Sequence, residues 1–210
     1  MKEKRNIRQD GQKTKITILQ WAGRLIAEKG FDSVTSKEIC EKAGVNQAAV
    51  KYHFGSREDL YFSLLKYVHN RLISMEKLQE IHESPLSGDE KMEQIVNFLT
   101  ENVFHKKDWE MTVWIRELMN PSETVRKIIK EAGLPKISLA VKIFSEYTGY
   151  GEDDPRLYSA MLATVAPFNL VLLASHNGLE KEIPLPVQKG DIEKTLKKTI
   201  LQNLKTMKKK

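Results

Sequence analysis

The sequence predicts an all-helical protein. Apolar residues recur every three or four positions along several long stretches, and no stretch alternates apolar and polar residues as a half-buried strand does. Capping residues, glycines and prolines separate these stretches into pieces of helical length. With 210 residues the chain is long enough to bury a sizeable core. We therefore expect helices throughout, in one large domain or two small ones.

The N-terminal region begins with a polar segment and continues as a helix. Residues 1–12 carry mixed charge and no apolar periodicity, which is typical of a flexible basic arm. Two hypotheses for this arm remain open: insertion into a DNA minor groove, or a role in solubility. An apolar stripe predicts the first helix over residues 13–29, and Gly30 stands where a helix would end.

Two short helices joined by a tight turn are predicted after this first helix. Thr35 and Glu38 have the spacing of a capping box at the start of one of them. Gly44, inside the segment Ala43-Gly44-Val45, can take the positive φ that ends that helix. Asn46 is a good N-cap for the second short helix. This order of elements is a helix-turn-helix.

The second short helix has one apolar face and one polar face. Val50 and Phe54 are four residues apart and are predicted to face inward. Gln47 and Lys51 have the same spacing and are predicted to face outward. A short helix with a free polar face of this kind fits the major groove of DNA.

The rest of the chain predicts further helices. Their expected ranges are 56–82, 88–105, 107–119, 122–147, 155–175 and a last one from residue 191. The segment Gly133-Leu134-Pro135 must kink or interrupt the fourth of these, because proline removes a helical hydrogen bond. Residues 177–189 include two prolines and are predicted to form a loop.

Cysteine content, charge and the N-terminus favour a cytoplasmic protein with a nucleic-acid partner. Cys40 is the only cysteine, so no internal disulfide can form, and we interpret it as a buried small hydrophobe. The polar N-terminus does not look like a signal peptide. Residues 1–71 carry 14 Lys/Arg against 8 Asp/Glu, an excess of six, whereas residues 72–210 carry 20 of each. The whole basic excess therefore accompanies the helix-turn-helix.

The longest apolar stretch, residues 157–174, has two interpretations. It is barely long enough to cross a bilayer, and it contains Ser159, Pro167 and Asn169. A helix that is apolar on most sides also suits a subunit interface. We favour the interface, with a homodimer formed through the last two helices and no membrane partner.

The N-terminal residues resemble the TetR family of transcriptional regulators over roughly residues 13–70. The matching segments, in the order and spacing of the family, are Glu28-Lys29-Gly30-Phe31, Thr35-Ser36, Ala43-Gly44-Val45, Tyr52-His53-Phe54 and Arg57. A shorter segment, Arg116 to Ser122, resembles the R-E-x-x-x-P-[ST] stretch of the CecR-like subgroup. The resemblance implies a basic arm (1–12), a helix-turn-helix DNA-binding domain (13–55) and a helical effector-binding and dimerisation domain (56–210).

The resemblance also implies contacts with a double-stranded DNA operator. Contacts to bases are expected from Gln47, Ala48 and Lys51. Contacts to phosphates are expected from Thr35, Ser36, Tyr52, His53 and Arg57, and Lys37 and Asn46 complete the candidate set. Plainer roles remain open: Thr35 as a helix cap, Tyr52 as a filler of the helix junction, and His53 as a packing residue.

The larger domain is expected to bind an unknown, partly apolar small-molecule effector, with no metal and no cofactor. Candidate pocket residues are Phe98, Trp109, Trp114, Arg116, Glu117, Tyr158, Met161 and Phe168. Most of the apolar ones are equally suited to a core. Arg116 and Glu117 either orient a ligand or form a structural ion pair.

The favoured function is a ligand-responsive repressor acting as a homodimer on a palindromic operator. A transcriptional activator and an effector-independent DNA-binding protein are alternatives that the residues leave open. An enzyme is a remote alternative, because the five histidines are widely separated and the common catalytic motifs are absent from the sequence.

Overall fold

A computed structural model describes residues 2–72, 74–105, 109–176 and 189–209, and every regular element in these ranges is a helix. The predicted all-α class is confirmed. In chain order the α-helices are α1 (Lys2–Lys29), α2 (Ser36–Ala43), α3 (Ala48–Phe54), α4 (Arg57–Leu72), α5 (Met75–Glu83), α6 (Gly88–Thr100), α7 (Trp109–Met119), α8 (Glu123–Ile128), α9 (Leu134–Thr148), α10 (Pro155–His176) and α11 (Lys189–Thr206). The loop predicted over 177–189 falls almost entirely outside the described residues.

Helix α1 begins at Lys2, whereas the sequence led us to expect a flexible arm over residues 1–12 and a helix from residue 13. Most residues of this segment are lysine, arginine, glutamate or glutamine, which are good helix formers. Gly11 weakens a helix by only about 1 kcal/mol relative to alanine. The helix therefore continues through Gly11 despite the missing apolar stripe.

The helix that was predicted over 56–82 is divided in two, since α4 ends at Leu72 and α5 begins at Met75. Ser74 has extended backbone angles, and its hydroxyl accepts a hydrogen bond from the Lys77 N–H at 3.1 Å. A serine in this position satisfies a free amide at the start of a new helix. Helices α4 and α5 are therefore separate elements.

The helices group into two compact units, and the chain passes between them three times. The first unit is Met1–Arg71 with Asp108–Lys130, and the second is Leu72–Lys107 with Glu131–Lys210. Helices α7 and α8 thus belong with the helix-turn-helix, a grouping that differs from the boundary we predicted at residue 55. Helix α1 packs against both α2 and α7. Two short helices cannot cover the apolar face of a long one, and α7 supplies the missing cover.

The contact between α1 and α7 is very close at one point. A Cβ atom placed on Gly23 of α1 would lie 1.9 Å from the indole ring of Trp109. The same indole stacks on the ring of Tyr67 from α4, with centroids 6.3 Å apart. Glycine at position 23 is therefore what allows α1, α4 and α7 to share this packing.

The second unit has its own apolar core. Its buried side chains come from α5, α6, α9, α10 and α11, and include Ile81, Met92, Val96, Phe144, Leu157, Phe168 and Leu204. Helix α6 begins with a capping box between Ser87 and Glu90. The interruption predicted near Gly133-Leu134-Pro135 is confirmed, because a π-helical turn (Ile129–Gly133) separates α8 from α9.

Helix α10 is apolar on two faces. Leu157, Ala160, Thr164 and Phe168 are buried in the core of the second unit. Tyr158, Leu162, Val165 and Leu170 are exposed, Leu162 and Leu170 to 68% each. By length and composition the segment Pro155–Leu173 could also cross a bilayer, and only 22% of it is buried. The second apolar face is thus open to a partner.

We expect Gly23→Ala to destabilise the first unit. Alanine would raise the helix propensity of α1 by about 1 kcal/mol, but overpacking against Trp109 would cost about 1–3 kcal/mol, so the net effect is a loss. Gly11→Ala is the matched control, since a Cβ at Gly11 meets no atom within 4 Å. Urea unfolding would measure both; equal or greater stability of Gly23→Ala would contradict the close packing.

Candidate nucleic-acid interface

Helix α2 is fixed at both ends. The Thr35 hydroxyl accepts a hydrogen bond from the Glu38 N–H at 3.2 Å, so Thr35 is the predicted N-cap. The Glu38 carboxylate is used differently from a capping box, since it pairs with the Lys29 ammonium at 2.5 Å and so ties α2 to the end of α1. At the other end Gly44 has φ +66°, and its N–H donates back to carbonyls of α2. The predicted turn is confirmed.

Helix α3 is held in place from inside. The Asn46 side chain accepts a hydrogen bond from the Ala48 N–H at 2.8 Å, which is the capping role expected for it. Val50 is 4% exposed and faces the core of the first unit. The Cys40 thiol is fully buried and donates to the Gln47 carbonyl at 3.7 Å. Cys40 is therefore the buried small residue that the sequence indicated.

The opposite face of α3 and its N-terminal end are open. Gln47, Ala48 and Lys51 are all exposed, and Tyr52 is 84% exposed. A helix seven residues long presents about two turns, which matches the part of a recognition helix that enters a major groove. Amide, methyl and ammonium groups at these positions can hydrogen-bond or contact base edges.

The other candidate DNA-contacting residues lie at the start of α2 and in α3. Thr35 and Lys37 are exposed, and Ser36 is half-buried at the first turn of α2. The Lys37 ammonium lies 3.9 Å from Glu41, which leaves it largely in solvent. His53 is half-buried, and its ring meets the Tyr52 ring edge to face at 4.9 Å. For His53 the packing role is thus visible in the structure.

Arg57 lies in a different environment from the one we predicted. Its guanidinium donates a hydrogen bond to the Phe31 carbonyl and stands 4.1 Å from the centre of the Phe31 ring. The Arg57 Nε is buried. Arg57 therefore joins the start of α4 to the loop between α1 and α2, and its charge is directed inward. The prediction missed this because nothing local in the sequence connects positions 31 and 57.

Four effector candidates lie in the first unit, where they make internal contacts. Trp109 packs on Gly23, and Trp114 is buried with its ring 5.2 Å from that of His69. Arg116 donates to the Ile26 carbonyl at the end of α1, at 3.0 Å.

Glu117 is buried and accepts hydrogen bonds from two helices. The Tyr61 hydroxyl of α4 donates to one carboxylate oxygen, and Ser122 donates to the other from its hydroxyl at 2.7 Å and its N–H at 3.1 Å. Burial and the neighbouring Glu117 raise the pKa of Tyr61, so the phenol stays protonated at physiological pH. Arg116 and Glu117 thus have separate partners, in contrast to the ion pair or ligand contact that the sequence suggested.

The other four effector candidates lie in the second unit and have three different environments. Phe168 is buried in the core and Met161 packs against that core, as the plainer interpretation held. Phe98 is half-buried on α6, and Tyr158 is on the exposed face of α10. An open hollow of about 340 Å³ along α11 is lined by none of them; its lining residues are Asp191, Ile192, Thr195, Leu196 and Thr199.

Metal-binding clusters do not occur in the described ranges, where no three His, Cys, Asp or Glu side chains are close enough to share an ion. The residues that the prediction missed are Phe31 and Tyr61. Both are partners of long-range contacts whose other member, Arg57 or Glu117, had been assigned a different role. Phe31 belongs to one of the segments that resemble the TetR family, but no periodicity or motif connects Phe31 with Arg57 or Tyr61 with Glu117.

Comparisons with known proteins agree with this geometry. Residues 18–64 match the family described as "Bacterial regulatory proteins, tetR family". Residues 89–181 match the C-terminal domain of the "HTH-type transcriptional dual regulator CecR". The chain belongs to the TetR family. It is a DNA-binding transcriptional regulator of that family.

Individual TetR-family members are similar over most of their length. UidR of Escherichia coli strain K12 is 24% identical over 158 residues, covering 74% of this chain and 77% of UidR. CecR of Shigella flexneri is 22% identical and covers 76% of this chain and 77% of CecR. FadR of Bacillus subtilis, solved with stearoyl-CoA, shares the fold with a TM-score of 0.63 at 19% identity, covering 90% of this chain and 96% of FadR.

Arg57→Ala is expected to lower stability by about 1–3 kcal/mol, because it removes a charged hydrogen bond and a cation–π contact. Lys51→Ala removes a cation from the same unit but from an exposed position, and should change stability by no more than about 0.5 kcal/mol. Chemical denaturation checks the difference. If both variants were as stable as the parent, Arg57 would have no structural role.

Proposed function

We propose that this TetR-family regulator is a homodimeric, effector-responsive repressor that binds a palindromic operator. The recognition contacts come from Gln47, Ala48 and Lys51, placed by α3 in successive major grooves. One observation carries the proposal: the polar face of α3 is exposed while Val50 anchors its other face. The basic excess of residues 1–71 adds attraction for phosphates.

Phosphate contacts are assigned to the side chains around α3. They are Thr35, Ser36, Lys37, Asn46, Tyr52 and His53. Tyr52 is the strongest of these, because its side chain is 84% exposed although its ring contacts that of His53. Arg57 is left out of the set, because its guanidinium donates a hydrogen bond to the Phe31 carbonyl and packs on the Phe31 ring.

The dimer is assigned to α10 and α11. A contiguous apolar face on α10 is costly in water, and a second copy of the same helix would cover it. The small exposed residues Ser159, Ala163 and Ala166 allow close approach of a partner helix. Two copies also present two α3 helices to the two halves of a palindrome.

The effector is proposed to be partly apolar and to act on the spacing of the two recognition helices. A ligand that binds one spacing more tightly shifts the dimer toward it. FadR of B. subtilis, a protein of the same fold, was solved with stearoyl-CoA, which makes an acyl-CoA a suitable first probe. Fold likeness alone does not assign a ligand. We place the protein in the cytoplasm, where its operator would be.

Three alternatives give different results in simple assays. An effector-independent DNA-binding protein would keep its operator in the presence of every ligand tested. An activator would raise transcription from that operator in vitro. Because the relative CecR is named a dual regulator, activation and repression are both tested on the same DNA. A helical enzyme would convert a small molecule without DNA, and no catalytic arrangement in the described residues favours it.

Gln47→Ala and Lys37→Ala should affect DNA binding in different ways. The operator is first selected from fragmented genomic DNA of the source organism. Gln47→Ala should cost about 1–3 kcal/mol on that operator and relax preference at one position per half-site. Lys37→Ala should weaken operator and random DNA alike and lower the salt slope by about one. Equal losses on both DNAs with Gln47→Ala would contradict the base contact.

Leu162→Glu should dissociate the dimer. A glutamate buried at an interface without a partner costs several kcal/mol, roughly a 100-fold or larger loss of dimer affinity. Met119→Glu is the matched control. The exposed fraction of Met119 is 67%, nearly the same as the 68% of Leu162, but Met119 lies on α7 of the first unit. Sedimentation velocity gives the oligomeric state; a dimeric Leu162→Glu protein would place the interface elsewhere.

A further inference from the structure

The segment that resembles R-E-x-x-x-P-[ST] has no part in the proposed contacts with DNA. It covers the end of α7 and the N-cap of α8, and both helices belong to the first unit. The family match for the DNA-binding region ends at residue 64, far before this segment. Helices α7 and α8 therefore have a role in the first unit other than direct contact with DNA.

Arg116 holds the end of α1. Its guanidinium donates to the Ile26 carbonyl at 3.0 Å, and that carbonyl also accepts the Gly30 N–H at 2.8 Å. A cation at the C-terminus of a helix is favoured by the helix dipole. Helix α2 begins six residues after Gly30, so Arg116 fixes the point from which the helix-turn-helix departs.

Glu117, the next residue, holds α4. Its carboxylate accepts the Tyr61 hydroxyl, and the Tyr61 ring stacks on Phe31 with centroids 4.2 Å apart. Phe31 is the residue that Arg57 also holds, from the first turn of α4. Glu117 is therefore bonded to Tyr61 of α4, the helix that follows α3. Through the Tyr61 ring it is also connected to Phe31, which precedes α2.

The helix-turn-helix is thus supported at both its entry and its exit by consecutive residues of α7. Two short helices, eight and seven residues long, have little stability alone and take their orientation from these supports. Ser122 adds two more donors to Glu117, its hydroxyl and its N–H, and the same hydroxyl caps α8 by accepting the Val125 N–H at 3.1 Å. The buried carboxylate therefore has its hydrogen-bonding capacity well used.

We propose that Arg116 and Glu117, with Tyr61, are positioning residues for DNA binding: they set the orientation of α3 without touching DNA. The segment that carries them is joined to the second unit at both ends, and a π-helical turn lies near each junction (Glu101–His105 and Ile129–Gly133). π-helical turns inside helical chains frequently accompany functional sites.

The test compares two tyrosines. Tyr61→Phe removes the hydroxyl bonded to Glu117 and keeps the ring on Phe31. Tyr147→Phe is the matched control: Tyr147 is 6% exposed, Tyr61 is 9% exposed, and the Tyr147 hydroxyl is bonded to Asp89 in the second unit. Affinity for the selected genomic fragment is measured at a temperature where both proteins are folded.

We expect Tyr61→Phe to weaken binding about 2- to 30-fold while Tyr147→Phe leaves it unchanged. Arg116→Gln should weaken binding similarly, and Arg116→Lys should restore most of it, because lysine can still donate to Ile26. Arg116 is exposed, so its variants are expected to fold even if Tyr61→Phe does not. Salt slopes should match that of the parent, since no phosphate contact is lost.

Hydrogen exchange of the α3 amides gives a readout without DNA. Faster exchange in Tyr61→Phe and Arg116→Gln, but not in Tyr147→Phe, is expected. Parent-like affinity and parent-like α3 exchange in both first-unit variants would overturn the positioning role. If the parent itself bound no genomic fragment, the proposed operator function would fail, and the exchange data alone would decide the positioning role.

Discussion

The arrangement of the DNA-binding unit depends on the packing of α1 between two partners. On one side α2 leads into the helix-turn-helix, and on the other α7 lies close enough that position 23 has no room for a side chain. Short helices such as α2 and α3 do not persist alone in water, because nucleating a helix costs more than one or two turns return. The surface presented to DNA is therefore a property of the whole first unit and of its longest helix in particular.

Local signals made the fold and the recognition helix predictable. Helical periodicity, the cap at Thr35, the glycine turn at Gly44 and the inward-facing Val50 all act over one or two turns, and each appears in the structure. The serine cap at Ser74 is equally local, yet the apolar pattern running through it concealed the break between α4 and α5. Where a capping residue and the apolar pattern disagree, the apolar pattern alone does not decide whether a helix ends.

Long-range partners could not be predicted in the same way. From the sequence, the resemblance to the TetR family implies a phosphate contact for Arg57, and Glu117 is expected either to orient a ligand or to form an ion pair with Arg116. In the folded chain their partners are Phe31 and Tyr61, 26 and 56 residues away. Which distant groups meet is decided by how the helices pack, and no spacing rule within one helix contains that information.

The order of the chain through the two units limits how the protein can be divided. A fragment that ends near residue 72 would contain the complete helix-turn-helix. It would lack Trp109, which packs on Gly23, and Glu117, which accepts the Tyr61 hydroxyl. Exchange of DNA specificity between relatives, whether by recombination in evolution or by a designed chimera, would therefore have to carry residues 109–128 together with the N-terminal segment.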